Sequence, residues 1–412
     1  MSYGIRETNL RPVKRDTHSC RALCSKSILS IGILLTTTSL SFASSAHADE
    51  FIDSSVLTTP SLLGPENPDK IQLQAMLGSL TMNDSQSQAS LGLAKLGASF
   101  THQFTPVLSA NFELYATFQE GTSSSLLPNQ LAPGSSLSLV ETAVELNPFS
   151  LLTLRAGILD QGKVVSSLLM DHNGFPATEE KLNLFSDGSS KIEVLAEQAI
   201  PTSSQLFTTL TPLASETPYF LTEKAQYSYS GDGLIEHSYL SAGYFYFSDL
   251  TPAIAQDSRF LGNSVAGLGS AAAQFTYYFS GLDTAIGTQL SLTEKLKLDL
   301  GGNYVFNVEA PTTQNTAYLA KAKVEVPIST VIVAPRFYAF HIESDAMPAS
   351  YTNAILGNTN RQGYLAGVEL SIPKSRLGFD GNWVSANPVT PATYTVDRDI
   401  IYFAMRYSYD LL

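Results

Sequence analysis

The last residues of the chain, Ile401 to Leu412, read IYFAMRYSYDLL, and the rest of the sequence is interpreted from them. The odd positions of this stretch are apolar or aromatic, while the even positions include Arg406, Ser408 and Asp410. Side chains alternate between the two faces of a strand. The stretch therefore predicts a strand whose faces meet two different surroundings. An amphipathic edge strand of a soluble sheet is the alternative interpretation.

An apolar face that ends in aromatic residues is typical of a lipid-facing barrel strand. At this stretch the chain resembles the outer-membrane β-barrels of Gram-negative bacteria, whose final strand closes the cylinder and often ends in an aromatic residue. Here Tyr409 is the last aromatic residue and two leucines follow it. An unpaired backbone group costs several kcal/mol in hydrocarbon, so an open sheet edge is excluded there. We therefore expect the final strand to pair with the strand near Ile71.

The N-terminal segment 1–48 has the pattern of an export signal. A head with six basic residues precedes an apolar run from Ile28 to Leu40, and a small-x-small site ends at Ala48. A single anchoring helix is the alternative. Both cysteines, Cys20 and Cys24, lie in this segment, so the mature chain would contain no thiol. We expect residues 49–70 to form a periplasmic arm and residues 71–412 to form a transmembrane barrel.

Composition narrows the class of protein further. Only 15% of the 412 residues are charged, and the mature chain contains no run of 18 apolar residues, which argues against a helical membrane protein. Cleavage after residue 48 leaves 18 basic and 35 acidic residues, a net charge of −17. This acidity argues against nucleic acid as a partner and is compatible with a pore that favours cations.

From Ile71 onward, segments of about ten alternating residues predict an all-β chain, a transmembrane antiparallel up-and-down β-barrel. Sixteen strands are expected, with fourteen as the second choice; the sixteen depend on 271–292 being one strand rather than a hairpin at Gly281. Tight turns alternate with long polar connections at 120–136, 160–190, 248–270, 343–360 and 386–397. We predict strands at 71–82, 88–103, 107–119, 137–146, 149–159, 191–200, 205–213, 218–230, 235–247, 271–292, 295–307, 316–326, 329–342, 361–372, 375–385 and 398–411.

The fifth predicted strand is followed by the longest connection, 160–190. By this order and length the chain resembles the general porins, whose third loop folds into the barrel and narrows it; no diagnostic motif is shared. The resemblance implies a constriction formed by 160–190 and a possible homotrimer. An ordinary external loop is the alternative. The acidic residues of the predicted constriction loop are Asp160, Asp171, Glu179, Glu180 and Asp187.

Charged residues on the polar faces of the predicted strands are candidates for the pore wall, where rings of charge decide which ions pass. Structural residues held in salt bridges are the alternative interpretation. Under the porin resemblance, Arg155, Lys321, Lys323 and Arg336 would form a basic side opposite the acidic loop. The pore-lining candidates are Glu113, Glu141, Glu145, Arg155, Lys321, Lys323, Arg336 and Arg406.

No catalytic or metal-binding motif occurs, and the Asp171-His172 pair is interpreted as a solvated loop pair. We therefore expect no enzyme activity, no cofactor and no metal site. The sequence predicts a porin of the bacterial outer membrane, a passive diffusion channel for small hydrophilic solutes and ions, with lipid and small polar solutes as its partners. A substrate-specific channel, and a surface adhesin or structural barrel protein, are the alternatives.

Overall fold

A computed structural model describes residues 69–84, 87–125, 134–201, 217–267, 269, 271–293, 295–393 and 395–411. The predicted export signal and nearly all of the predicted arm lie outside the described residues. Within these ranges, no helix has the length and apolar character needed to cross a membrane.

The described chain forms a closed antiparallel barrel of sixteen strands, so the predicted fold class and strand number are confirmed. Two further short strands pair only with each other. The barrel strands are β1 (Asp69–Asp84), β2 (Ser87–Thr105), β3 (Leu108–Ser125), β4 (Gly134–Phe149), β5 (Leu152–Asp160), β6 (Gly174–Ser186), β7 (Ser190–Ala199), β8 (Tyr219–Ser230), β9 (Ile235–Ser248), β12 (Phe279–Thr293), β13 (Leu296–Asn307), β14 (Thr316–Ile328), β15 (Val331–Ile342), β16 (Arg361–Ile372), β17 (Leu377–Pro388) and β18 (Arg398–Asp410). The connection between β9 and β12 contains α1 (Pro252–Phe260), β10 (Val265–Ala266) and β11 (Gln274–Phe275).

The first and last strands close the barrel, as the sequence predicted. β1 and β18 pair antiparallel in a register that runs from Gln72 opposite Asp410 to Asp84 opposite Arg398. Beyond the ladder, the backbone N–H of Leu411 donates to the carbonyl of Ile71 at 2.8 Å. Each of the sixteen barrel strands thus has a partner on both sides, as a barrel in hydrocarbon requires.

The two faces of β18 differ as the alternation predicts. Ile401, Phe403 and Tyr407 point outward and are exposed, Phe403 by 60%. Tyr402 and Arg406 between them are buried in the barrel interior. An outer surface of aliphatic and aromatic side chains is the face that a barrel presents to lipid.

The connections are sorted by length between the two ends of the barrel. At one end, where both termini of the barrel lie, the connections have two to four residues, from 106–107 to 373–376. At the other end most are much longer, and 249–278 is the longest. This is the sorting that the sequence predicted and that outer-membrane barrels show.

The structure changes one predicted assignment and leaves another untested. Residues 174–186, expected in a long loop, form β6, which pairs with β5 and β7. The predicted strand 205–213 lies outside the described residues. The expectation that no turn occurs at Gly281 is confirmed, since β12 continues through it, although β12 begins only at Phe279.

The inner face is divided between an apolar half and a charged half. Near the long connections, Phe175, Phe220, Phe247 and Phe279 are fully buried inside the barrel. Tyr351, from the connection 343–360, packs its ring on Phe175 and Phe247. At this end the inner face is therefore aromatic, and the connection 343–360 packs against it.

Candidate functional site

The connection between β5 and β6, residues 161–173, turns inward and crosses the barrel. Asp160 holds its base: one carboxylate oxygen accepts from the Gly162 N–H at 3.0 Å, and the other lies 2.7 Å from Nδ1 of His172. The Gln161 N–H donates to the carbonyl of Asn173 at 2.9 Å and closes the loop. We call residues 161–173 the inward segment.

The inward segment is attached to both sides of the wall. Lys163 forms salt bridges with Glu113 on β3 at 3.1 Å and with Glu141 on β4 at 2.7 Å. The Ser166 N–H donates to Asp283 on β12 at 2.8 Å. Strands β3 and β4 face β12 to β14 across the barrel. The segment therefore spans the interior rather than following one wall.

One arc of the inner wall, on β3 to β6, is acidic. Arg155 on β5 is its central cation and lies 2.6 Å from Glu141, 3.4 Å from Glu179 and 3.8 Å from Glu145. Together with Glu113, this arc has four carboxylates against two cations, Arg155 and Lys163. Ion pairs shielded from water hold a fixed geometry, so the side chains of this arc form a defined wall.

The opposite arc, on β13 to β18, contains several close ion pairs. Asp380 lies between two arginines, 2.7 Å from Arg336 and 3.0 Å from Arg406, and Arg406 also reaches Glu369 at 3.5 Å. Lys323 pairs with Glu325 at 2.6 Å. The carboxylates of Asp380, Glu369 and Glu325 are thus paired with Arg336, Arg406 and Lys323.

Lys321 differs from these cations. In the described part of the chain, no carboxylate lies within salt-bridge distance of the Lys321 ammonium group. This group donates to the hydroxyl of Ser167 at 2.9 Å and lies 5.8 Å from the centre of the Tyr338 ring. It borders a cavity of about 320 Å³ between the inward segment and the wall. A second cavity of about 360 Å³ lies near the short turns and is bordered by Lys95 and Arg406.

All eight residues predicted for the pore wall lie on the inner face, and most of them are in salt bridges. The five predicted loop residues are dispersed, because β6 occupies half of the expected loop. Asp160 and Asp171 belong to the base and end of the inward segment. Glu179 is on the inner face of β6, whereas Glu180 points outward and is exposed. Asp187 lies in the β6–β7 turn at the other end of the barrel, so its placement in a constriction was wrong.

Sequence reasoning missed Lys163 and Ser167, which connect the inward segment to the wall. They carried no signal of their own because the whole of 160–190 was interpreted as loop. The Asp171-His172 pair, interpreted as solvated, is not: Asp171 is only 5% exposed. The His172 ring pairs with Asp160, while the backbone N–H of Asp171 donates to the carbonyl of Tyr351 at 2.9 Å.

In the ranges that the structure describes, no group of three or more metal-ligating side chains could hold a metal ion.

Comparisons with known proteins agree with this architecture. Residues 279–407 match the family model described as "Putative porin". Among solved structures, the high-pH structure of Pseudomonas putida OprB has a TM-score of 0.53 at 13% identity, over 83% of this chain and 94% of that one. Salmonella typhi OmpF in complex with daunomycin has a TM-score of 0.51 at 10% identity, over 83% of this chain and 97% of that one. No curated protein sequence matches the chain.

At these identities the two solved structures share the fold, and the family match covers the C-terminal strands from β12 to β18. The family match and the fold point to a channel rather than to an enzyme. Together with the closed barrel, its apolar outer surface and its sorted connections, they show a porin-like β-barrel with the architecture of outer-membrane barrels.

Proposed function

We propose that the barrel is a passive diffusion channel for small hydrophilic solutes and ions, narrowed by the inward segment 161–173. The observation that carries this proposal is the attachment of one segment to opposite walls, through Lys163 to Glu113 and Glu141 and through Ser166 to Asp283. A segment held at both sides keeps the width of the passage fixed, so solutes are sorted by size and charge without a chemical step.

The eight wall residues are proposed to act as the charged lining of this passage. The arc on β3 to β6 has more carboxylates than cations. A wall with this excess of negative charge concentrates cations in the passage. We therefore propose a modest preference for cations over anions.

Planar-bilayer recording of the purified mature chain tests the function. We expect stepwise currents in potassium chloride whose size rises with salt concentration, and a reversal potential in a salt gradient that indicates a preference for potassium. Folded protein that inserts without any salt-dependent current would exclude a diffusion channel.

A substrate-specific channel is the second candidate, and the 320 Å³ cavity beside Lys321 favours it. Most of the other inner cations have carboxylate partners, so this cavity is a place where a particular solute could be held. A saturable block of the potassium current by one solute class would distinguish such a channel from a purely size-selective one.

Two further proposals concern processing and assembly. We propose that residues 1–48 are removed on export, so that the mature chain begins at Asp49 ahead of a periplasmic arm. The resemblance to general porins leads us to propose a homotrimer. Mass spectrometry of the chain isolated from outer membranes measures whether residues 1–48 are missing. Native mass spectrometry in detergent measures the number of chains in the assembly.

A further inference from the structure

We propose that the cavity beside Lys321 is a binding site for short aliphatic monocarboxylates. It lies between the inward segment and the inner faces of β14 to β16 and β18. The proposal rests on the proposed function, because the solute would reach the cavity through the pore.

The charge of the cavity favours a monoanion. Arg336 also borders it, but Arg336 shares Asp380 with Arg406 and is 6% exposed. Lys163 is held by Glu113 and Glu141. Lys321 is left with a hydroxyl and a ring face as partners, Ser167 and Tyr338. An ammonium group that lacks a carboxylate in a partly dry cavity is stabilised by an anionic ligand, because a hydrogen bond between charged groups is stronger than one between neutral groups.

The remaining lining selects the body of the ligand. Leu319, Leu365, Ile355 and Leu356 border the same cavity with aliphatic surface. Burial of each methylene group against such surface contributes about 0.8 kcal/mol. A chain of a few carbons therefore suits the cavity better than an inorganic anion, which gains nothing from the apolar side.

Polar groups at the edge favour a carboxylate and complete the site. The side-chain oxygen of Asn353 accepts from the N–H of Ile355 at 2.9 Å, and its amide nitrogen makes no hydrogen bond with the part of the chain that the structure describes. Ser167 supplies a hydroxyl beside Lys321. Asp171 is the carboxylate on the lining, at the end of the inward segment, and its charge disfavours a dianion. These groups suit one carboxylate head rather than a phosphate.

Binding of butyrate to the purified, detergent-solubilised full-length mature chain, measured by titration calorimetry, tests the proposal. Butylammonium and 1-butanol, which have the same aliphatic chain, are the comparison ligands. We expect saturable binding of butyrate and much weaker binding of both analogues. Lys321→Gln removes the charge but keeps a polar side chain, and should weaken butyrate binding about tenfold. The matched control is Lys323→Gln on the same face of β14, which removes a lysine that is already paired with Glu325. It should retain the wild-type affinity.

Potassium chloride conductance, recorded on the same preparations, separates the proposal from the function on which it rests. A conducting wild-type channel without saturable butyrate binding overturns the carboxylate site and leaves the pore in place. Equal butyrate affinity in wild type and Lys321→Gln, or a loss of the same size in Lys323→Gln, overturns it as well. Saturable butyrate binding that depends on Lys321 in a protein without conductance supports the site and removes the diffusion function. Stronger binding of glucose than of butyrate assigns the cavity to saccharides and overturns the proposal.

Discussion

Asp380 shows what single side chains contribute inside this barrel. Its two oxygens accept from Arg336 and Arg406, and it also accepts from the side-chain amide of Asn382 at 2.7 Å. Each of these groups is less than a tenth exposed. The sequence located its partners Arg336 and Arg406 on the inner face by alternation alone. It could not show that they form one cluster, because alternation fixes the face of a residue but not its neighbours two strands away.

Replacing Asp380 by Asn should destabilise the barrel strongly, because two buried guanidinium groups would lose the charge between them. We expect a loss of about 3 kcal/mol or more in the free energy of unfolding, measured by urea titration in lipid vesicles. The control is Asp410→Asn, which removes the exposed partner of Arg376 at 2.9 Å and should cost less than about 1 kcal/mol. Equal losses in the two variants would mean that the cluster around Asp380 is fully solvated.

At the scale of elements, the barrel strands were predictable where their alternation is regular and hidden where it is not. β3 and β18 alternate cleanly; β18 and the start of β3 were located within one residue, although β3 continues to Ser125, beyond the predicted end at 119. β6 reads GFPATEEKLNLFS, and Pro176 and the run Glu179 to Lys181 obscure its pattern. Proline is disfavoured inside a sheet because it lacks an N–H. Glu180 points to the outer face, where a polar residue is not expected, so the sequence signal for a strand disappears.

The path of β12 through Gly281 gives a prediction about backbone contact between strands. A Cβ atom at Gly281 would lie 1.8 Å from the carbonyl oxygen of Phe306 on β13. Because the backbone must shift, Gly281→Ala should destabilise the barrel by about 1 to 3 kcal/mol. At Gly301, also on β13, the nearest heavy atom would be 3.5 Å away, so Gly301→Ala should change stability by less than about 0.5 kcal/mol. Urea unfolding of both variants measures the two losses of stability. An unchanged free energy of unfolding in Gly281→Ala would mean that β12 and β13 are not packed this closely.

At the scale of the whole molecule, closure of the barrel followed from the sequence because hydrocarbon forces it. The predicted number of strands agrees with the structure, although β6 was not among the predicted strands and the predicted strand 205–213 lies outside the described residues. Every backbone group must be paired, so the chain closes on itself, and the sorted connection lengths reveal which end of the barrel is which. The content of the interior did not follow. On β9, for example, Tyr244 and Tyr246 point outward, while Phe245 and Phe247 point into the barrel. What fills a barrel depends on which connections fold inward, and a strand pattern does not encode that.

In the proposed channel, water fills the passage beside the inward segment while lipid covers the outer wall. Cysteine modification tests it, since we predict a mature chain without cysteine. Lys163→Cys places a thiol on the inward segment, at a side chain that is 40% exposed, and Phe403→Cys places one on the outer surface. Single-channel current is recorded while a water-soluble, positively charged methanethiosulfonate reagent is added. We predict a stepwise, lasting fall in current for Lys163→Cys and no change for Phe403→Cys. Mass spectrometry shows whether each thiol has been modified. An unchanged current in fully modified Lys163→Cys protein would mean that the passage does not run beside the inward segment.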